Sequence, residues 1–370
     1  MVKRIDISKF QRDSSFYGQV DLLITVKSFD LQAIRKRYLE SKKNKRSGST
    51  QRRKPALGGV VSLSLNKGKL FNYKLLSQLN EPRGIDFMNN KLAISSEEKV
   101  FVLTDVIQTL ENDYFSYIHT VSFCPFDDNR LMVSSSGFDC IFEYDLKESN
   151  LIWEWFAWEN GFDMGKDPIT HSDILLTRHK DQAKMWQQEG KSFLLIDNPK
   201  TQSLPTAQRS AFINSVAYHM DNENLILATF FHAGKMMQIN KKDNTLLTVI
   251  ESMQHPHGGK QSNTISLATS TNSGEVVLIK DSVQYRYCTN ELEGKPSELG
   301  EMEWLQNSIL VDDFIITIDS NRTSFLIFSP DKGLYDLIPY NMDWAIQDMV
   351  CGTLTQEQQV MLQETSLSNG

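Results

Sequence analysis

What most limits the folds open to this chain is one short pattern written five times. LAISSEEKVFVLT (92–104), RLMVSSSGFDCIFEYDL (130–146), NLILATFFHAGKMMQIN (224–240), TISLATSTNSGEVVLIK (264–280) and FIITIDSNRTSFLIFS (314–329) each read as strand, tight turn, strand. Their β-branched and aromatic runs are short and are broken by Gly, Asn, Asp and Ser. A shorter strand opening on a polar residue precedes each hairpin: PRGIDF (82–87), IHTVSF (118–123), INSVAY (213–218), PHGGK (256–260) and MEWLQ (302–306). A fourth strand follows, as in LIWEWF (151–156) and TLLTVI (245–250).

With Arg83, His119, Asn214, His257 and Glu303 taken as equivalent, the repeat spacings are 36, 95, 43 and 46 residues. A strand repeat of about 40 residues is the period of a β-propeller blade. The long spacing holds one repeat plus an insertion, 157–211. The two ends complement each other. AIQDMV (345–350) reads as a first strand with no partners after it, whereas DLLITVKS (21–28), GGVVSLSL (58–65) and KLFNYKLL (69–76) read as second, third and fourth strands without a first. Joining them removes the exposed edges of an open array. The expected fold is therefore all-β: a six-bladed β-propeller closed by N-terminal strands and a C-terminal innermost strand. Residues 1–352 form one domain, with a basic flap insertion at 29–57 and a lid insertion at 157–211, followed by a polar tail at 353–370. A β-sandwich or a two-domain all-β protein is the competing reading. A seventh blade within 157–211 is disfavoured, because SFLLID (192–197) is one strand and KDQAKMWQQEG (180–190) reads as a helix.

No apolar run is long enough for a membrane span, and the start, MVKRIDISKFQRDSS, lacks the apolar stretch of a secretory signal. Cys124, Cys140, Cys288 and Cys351 are far apart with no CxxC pair, so they read as buried free thiols of a cytoplasmic protein. The net charge of −7 conceals a contrast: residues 35–54 hold ten basic residues against Glu40 alone, a local +9 that leaves −16 on the rest. Confined to one loop of an acidic body, this charge argues against a nucleic-acid partner and for a mobile electropositive flap that attracts an anion.

In a propeller the first-strand starts and the turns between second and third strands share one rim. That topology gathers Arg83, His119, Asn214, His257, Glu303 and Gln347 around the channel mouth, with Ser96, Ser136, His232, Asn272 and Asn321 on the adjoining turns. His119, His257 and His232 are candidates for acid–base or nucleophilic work. Arg83 suits an anionic group, or else an ion pair with Glu303 or Glu301. Asn214 suits a developing oxyanion. Trp158, Phe162 and Trp186 are candidates to line a cavity for an aromatic ligand. No metal-ligand spacing stands out, although three rim histidines leave a metal site open; a hydrogen-bonded polar plug is the bland alternative.

The blade HTVSF…DDNRLMVSSSGFDCIFEYDLKESNLIWEWF resembles arylsulfotransferase-like propellers, with a rim His, a polar turn, an EYD strand and a Trp strand. INSVAY…NLILATFFHAGKMMQINKKDN and HPHGG…GEVVLIKD resemble NHL-type and strictosidine-synthase-like propellers. The resemblance implies six blades and a ligand site at the channel mouth. In the sulfotransferases a rim histidine carries the sulfuryl group, parts that His119, His257, Asn214 and Arg83 match by residue type. The functional expectation is a cytoplasmic small-molecule enzyme, of transferase or lyase type, acting on an anionic or aromatic substrate through His119, His257, His232, Asn214, Arg83 and Glu303. Its cofactor is unknown. The alternatives are a scaffold propeller that binds a protein or nucleic acid through rim and flap, and a His-ligated metalloenzyme.

Overall fold

The computed structural model describes residues 1–44, 48–262 and 264–367. Lys45 and Arg46 of the basic run lie outside the described residues. Each of the five hairpins forms, and each sits in a four-stranded antiparallel meander. Sheet A comprises Ile85–Met88, Lys91–Ser95, Val100–Leu103 and Ile107–Leu110. Sheet B comprises Ile118–Cys124, Asp127–Ser135, Cys140–Asp145 and Asn150–Phe156. Sheet C runs from Ile213–His219 to Leu246–Ile250, sheet D from Pro256–Ser262 to Val283–Cys288, and sheet E from Leu305–Val311 to Leu334–Pro339. Middle strands such as Phe314–Asp319 and Ser324–Ser329 are buried throughout, as their unbroken apolar character requires when both faces are covered.

Sheet F draws on both ends of the chain. Ala345–Cys351 pairs antiparallel with Val20–Ser28, in a register that sets Ala345 against Ser28 and Cys351 against Leu22. Val20–Ser28 pairs in turn with Leu57–Asn66, and that strand with Lys69–Asn80. The first strand of each sheet touches the first strand of the next in the order A to F, and that of F touches that of A. Sheets A and B come so close that a Cβ on Gly84 would stand 2.6 Å from the Thr120 backbone. Large apolar clusters fill the space between sheets, including Trp155, Phe142 and Phe230 between B and C.

The structure adds to the sequence reading or departs from it in several places. Val2–Asp6 and Gln11–Arg12 add parallel outer strands to sheets D and E, extending both beyond four. The basic insertion is not a free flap over its first half, because Leu31–Lys43 forms a helix, α1. Its Leu, Gln, Ala, Arg and Lys residues favour helix, the Asp30 carboxylate accepts from Ala33 N–H at 2.9 Å, and Leu31 is buried with Trp304 and Ala345. The insertion 157–211 forms the expected helix, α2 (Lys180–Gln188), and the expected strand Phe193–Leu195, which joins two strands the sequence reading did not mark, Met164–Lys166 and Asp173–Thr177, in a small sheet. The polar tail is in fact structured: Gln356–Leu367 forms a helix, α3, opened by a capping box in which Thr355 and Gln358 bond each other's backbone N–H. Its Leu362 is fully buried in the cluster shared by sheets A and F. All four cysteines are free, but Cys351 is exposed and Cys288 only partly covered, so burial holds for Cys124 and Cys140 alone.

Candidate functional site

Residues in or next to the first strands of the six sheets surround a cavity of about 170 Å³. Four of the rim residues expected from the sequence line it: Arg83, His119, His257 and Gln347, joined by the turn residue Asn272. The two insertions form the rest of the wall, with Tyr38 from α1, Arg53 from the loop after it, and Thr206 and Arg209 from the end of 157–211.

Both histidines are held in one tautomer. His119 Nδ1 lies 2.9 Å from the Tyr117 carbonyl, which can only accept, so Nδ1 carries the proton; Ser136 Oγ, 2.8 Å away, accepts as well and donates onward to the Ile213 carbonyl. His257 Nδ1 likewise faces the His255 carbonyl at 3.2 Å and Thr271 Oγ1 at 2.7 Å. Each Nε2 is therefore a bare lone pair, with no hydrogen-bond partner among the described residues. Burial keeps both rings neutral: His119 is pushed well below its ordinary value, with Arg83 and Arg209 adding to the effect, and His257 falls to about 3. Gly258 follows His257 with φ +60°, and a Cβ there would collide with Asn307 Oδ1 at 1.8 Å, so glycine is needed for this turn of the strand.

The cations around the cavity fall into two kinds. Arg83 is fully engaged: its Nη2 donates to Glu81 at 2.8 Å and its Nη1 to Glu97 at 2.9 Å. Arg53 also pairs with Glu81. Arg83's partners are thus Glu81 and Glu97, rather than the Glu303 or Glu301 that the sequence suggested. Lys27 and Arg209 have no carboxylate paired with them among the described residues. Lys27 Nζ donates to Gln347 Oε1 at 2.7 Å, and Gln347 Nε2 donates to Gln306 Oε1 at 3.0 Å, which fixes the amide's orientation. Burial lowers Lys27 to about 7; Arg83, Arg53 and Arg37 push the same way against Glu81. Arg209 lies 4.5 Å from the Tyr117 ring and 4.6 Å from the Phe212 ring, with Nε donating to the Leu204 carbonyl at 3.2 Å. Its Nη2 is buried without a partner, and burial lowers the group to about 10. Among the described residues no carboxylate lines the cavity.

Aromatic rings supply the apolar wall: Tyr117, Phe212, Phe231, Trp304 and Tyr38, with Tyr38 stacked on Trp304 at 5.3 Å between centroids. The cavity is therefore cationic at some points and aromatic at others, which suits a flat anion.

Three expected site residues stand elsewhere. Glu303 is fully buried in an ion-pair cluster with Arg322 (3.0 Å) and Lys295 (2.7 Å) and does not reach the cavity. The strand it was thought to open begins later, at Leu305, and Trp304 and Gln306 take the lining positions. Asn214 turns its Nδ2 to the Pro256 carbonyl at 3.0 Å, bracing sheet C against D. His232 bonds the Thr206 carbonyl at 3.1 Å and packs on Phe212 and Phe231 behind the wall; burial lowers it to about 4. Trp158, Phe162 and Trp186 do not line the cavity: Trp158 is buried in the core with Nε1 donating to the Phe138 carbonyl, Phe162 is partly buried against Phe230, and Trp186 packs on Phe193 within the insertion. Among the described residues no three His, Cys, Asp or Glu side chains stand close enough to hold a metal ion. None of the described helices is long and apolar enough to cross a membrane.

Sequence reasoning missed Lys27 and Arg209. Lys27 ends a second strand, a position on the same rim, so the topology that found the histidines also reaches it. Arg209 carries no comparable signal.

No protein-family model matches the chain, and no curated protein does. Among solved structures, it is similar to a chain of the nidogen/laminin complex, with a TM-score of 0.55 and 7% identity over 91% of this chain and 99% of that one. Matches with lower scores include the β-propeller domain of Cps50 (Swd1) from Myceliophteria thermophila (TM-score 0.41, 10% identity, 67% of this chain and 64% of that one). Streptogramin B lyase gives a TM-score of 0.42 with 11% identity over 70% of this chain and 83% of that one. The chain has a β-propeller fold.

Proposed function

We propose that the six sheets are blades of a closed propeller and that the cavity at their inner ends binds a small aromatic anion for acid–base or group-transfer chemistry. Continuous contact between first strands from A to F and back to A supports the closure. One observation carries the functional reading: Lys27 and Arg209, two cations without an acid partner, share a cavity with five aromatic rings, two neutral histidines and no carboxylate. An anion offsets the cost of burying those charges, and the rings take the flat remainder of the ligand. A cavity of about 150 Å³ accepts one benzene ring, so a single-ring arene with one acidic group fits the 170 Å³ here. His119 and His257 then act as general bases or nucleophiles through Nε2, being neutral at physiological pH. Arg83 orients the site from behind, through Glu81 and Glu97.

The test compares benzoate, phenyl phosphate and phenyl sulfate with neutral benzamide by calorimetry and thermal unfolding. The anions are expected to bind and to raise the melting temperature, and benzamide is not. Equal binding of benzamide, or no binding by any anion, overturns the reading. Variants His119→Ala and His257→Ala, checked for folding by circular dichroism, then separate catalysis from binding. Full turnover by both on a substrate found this way leaves a binding pocket without the proposed chemistry.

A further inference from the structure

Among the described residues Lys27 is the one lysine on the cavity wall, and its setting differs from that of a lysine recruited only for charge. A charge-bearing lysine is normally given a carboxylate partner; this one has a single neutral acceptor, Gln347 Oε1 at 2.7 Å, whose amide is pinned by Gln306. One N–H is thereby directed at the wall. Around it the fold places more positive charge, from Arg83, Arg53 and Arg37, with Glu81 as the opposing acid that Arg83 and Arg53 already occupy. His257, which shares the wall, feels the Lys27 charge and carries a lone pair on Nε2. A partly buried amine beside other cations is the arrangement that makes lysine a nucleophile at neutral pH, because the protonated form is the one made costly.

Resting on the pocket reading above, we propose that Lys27 is an imine-forming amine and that the ligand class is an aromatic aldehyde or ketone bearing an acidic group. The Nζ lone pair attacks the carbonyl carbon, and the carbonyl oxygen takes up a proton to give a carbinolamine. The proton on that oxygen is the first one given up by the nitrogen; the second passes through a neutral histidine Nε2 on the same wall to the carbinolamine hydroxyl, which departs as water and leaves the C=N bond. The overall change is amine plus carbonyl giving imine plus water, with no oxidant or reductant. Arg209, stacked on Tyr117 and Phe212, holds the acidic group at the aromatic end.

The probe is para-formylbenzoate, one ring carrying both groups, applied to the full chain at pH 7 with sodium cyanoborohydride. Lys27 is near half deprotonated at that pH, its value being about 7. A surface lysine, at about 10.4, is deprotonated at roughly one part in 2,500. Labelling at Lys27 is therefore expected to run on the order of a thousandfold faster than at other lysines. Peptide mass spectrometry should find one adduct, equal in mass to the aldehyde less water plus two hydrogens, on the peptide containing Lys27. Excess benzoate should slow it, and Lys27→Met and Lys27→Gln should lose it while keeping the native circular dichroism. Labelling spread evenly over the surface, or no adduct although benzoate binds, overturns the imine step and leaves the pocket standing. If neither benzoate nor para-formylbenzoate binds, the pocket reading falls and takes this inference with it.

Discussion

Two buried charge clusters in this protein are built to opposite ends. Around Glu303, two acids meet two cations: Arg322 pairs with Glu303 at 3.0 Å and with Asp319 at 2.8 Å, and Lys295 closes on Glu303 at 2.7 Å. Arg322 spends its remaining donors on the carbonyls of Thr289, Leu292 and Glu293. Every charge there is answered from within the chain, so the cluster ties the segment 289–303 to sheet E. At the cavity, Glu81 and Glu97 answer Arg83 and Arg53, and Lys27 and Arg209 are left with neutral acceptors or none. Balance marks a structural cluster. A surplus of one sign inside a cavity marks a place that expects something from outside.

The widest separation between the two regions should appear in stability. Arg322→Met strands the Asp319 carboxylate in the interior and leaves Glu303 with Lys295 alone, and is expected to cost about 3–5 kcal/mol in urea unfolding. It should leave benzoate affinity unchanged in the folded fraction. A loss below about 1 kcal/mol would remove the claim that this cluster is structural.

A smaller effect concerns the neutral histidines. His257 takes a proton only at about 3 in the folded protein, whereas the unfolded chain takes it at about 6.5. Between those values the unfolded state binds more protons, so this contribution is complete above about 6.5 and is lost as pH falls. Asp348, raised to about 6 by burial, works in the opposite sense, so the informative quantity is the wild-type pH profile minus that of His257→Gln. That difference should amount to on the order of 2 kcal/mol by pH 5. Parallel profiles would show that His257 is not held neutral.

The smallest expected change is Arg209→Met. Stability should hold or rise, because an unpaired buried cation is removed, while benzoate affinity falls at least tenfold, about 1.4 kcal/mol. A variant that unfolds like Arg322→Met, with undiminished affinity, would erase the distinction between the two clusters.

Much of this architecture was legible in the sequence. The hairpins at 92–104, 130–146, 224–240, 264–280 and 314–329 fold where the alternation set them, and Ala345–Cys351 does pair with Val20–Ser28. Helix α3 carried its own signal, Thr355 followed three residues later by Gln358, which was passed over because the segment lacks apolar periodicity. Parallel pairing of Val2–Asp6 to sheet D left no trace, since an edge strand can be polar and gains its bonds from a partner some 280 residues away. At the site, Arg83, His119 and His257 were found because they begin inner strands. Glu303, like Arg83, stands two residues before its strand, but Arg322 and Lys295 draw its carboxylate into a buried ion-pair cluster and away from the cavity. Lys27 failed to register because a lysine at a strand end normally reaches water.

By itself the sequence determined the period, the order of the four antiparallel strands in each sheet and the joining of the two ends, because these follow from apolar alternation and turn residues acting over a few positions. Tertiary structure alone decided which polar residues face the cavity and which are answered elsewhere. That outcome depends on charges from distant segments coming within a few ångströms after packing, where low dielectric magnifies each pairing and exposes each one left unmade.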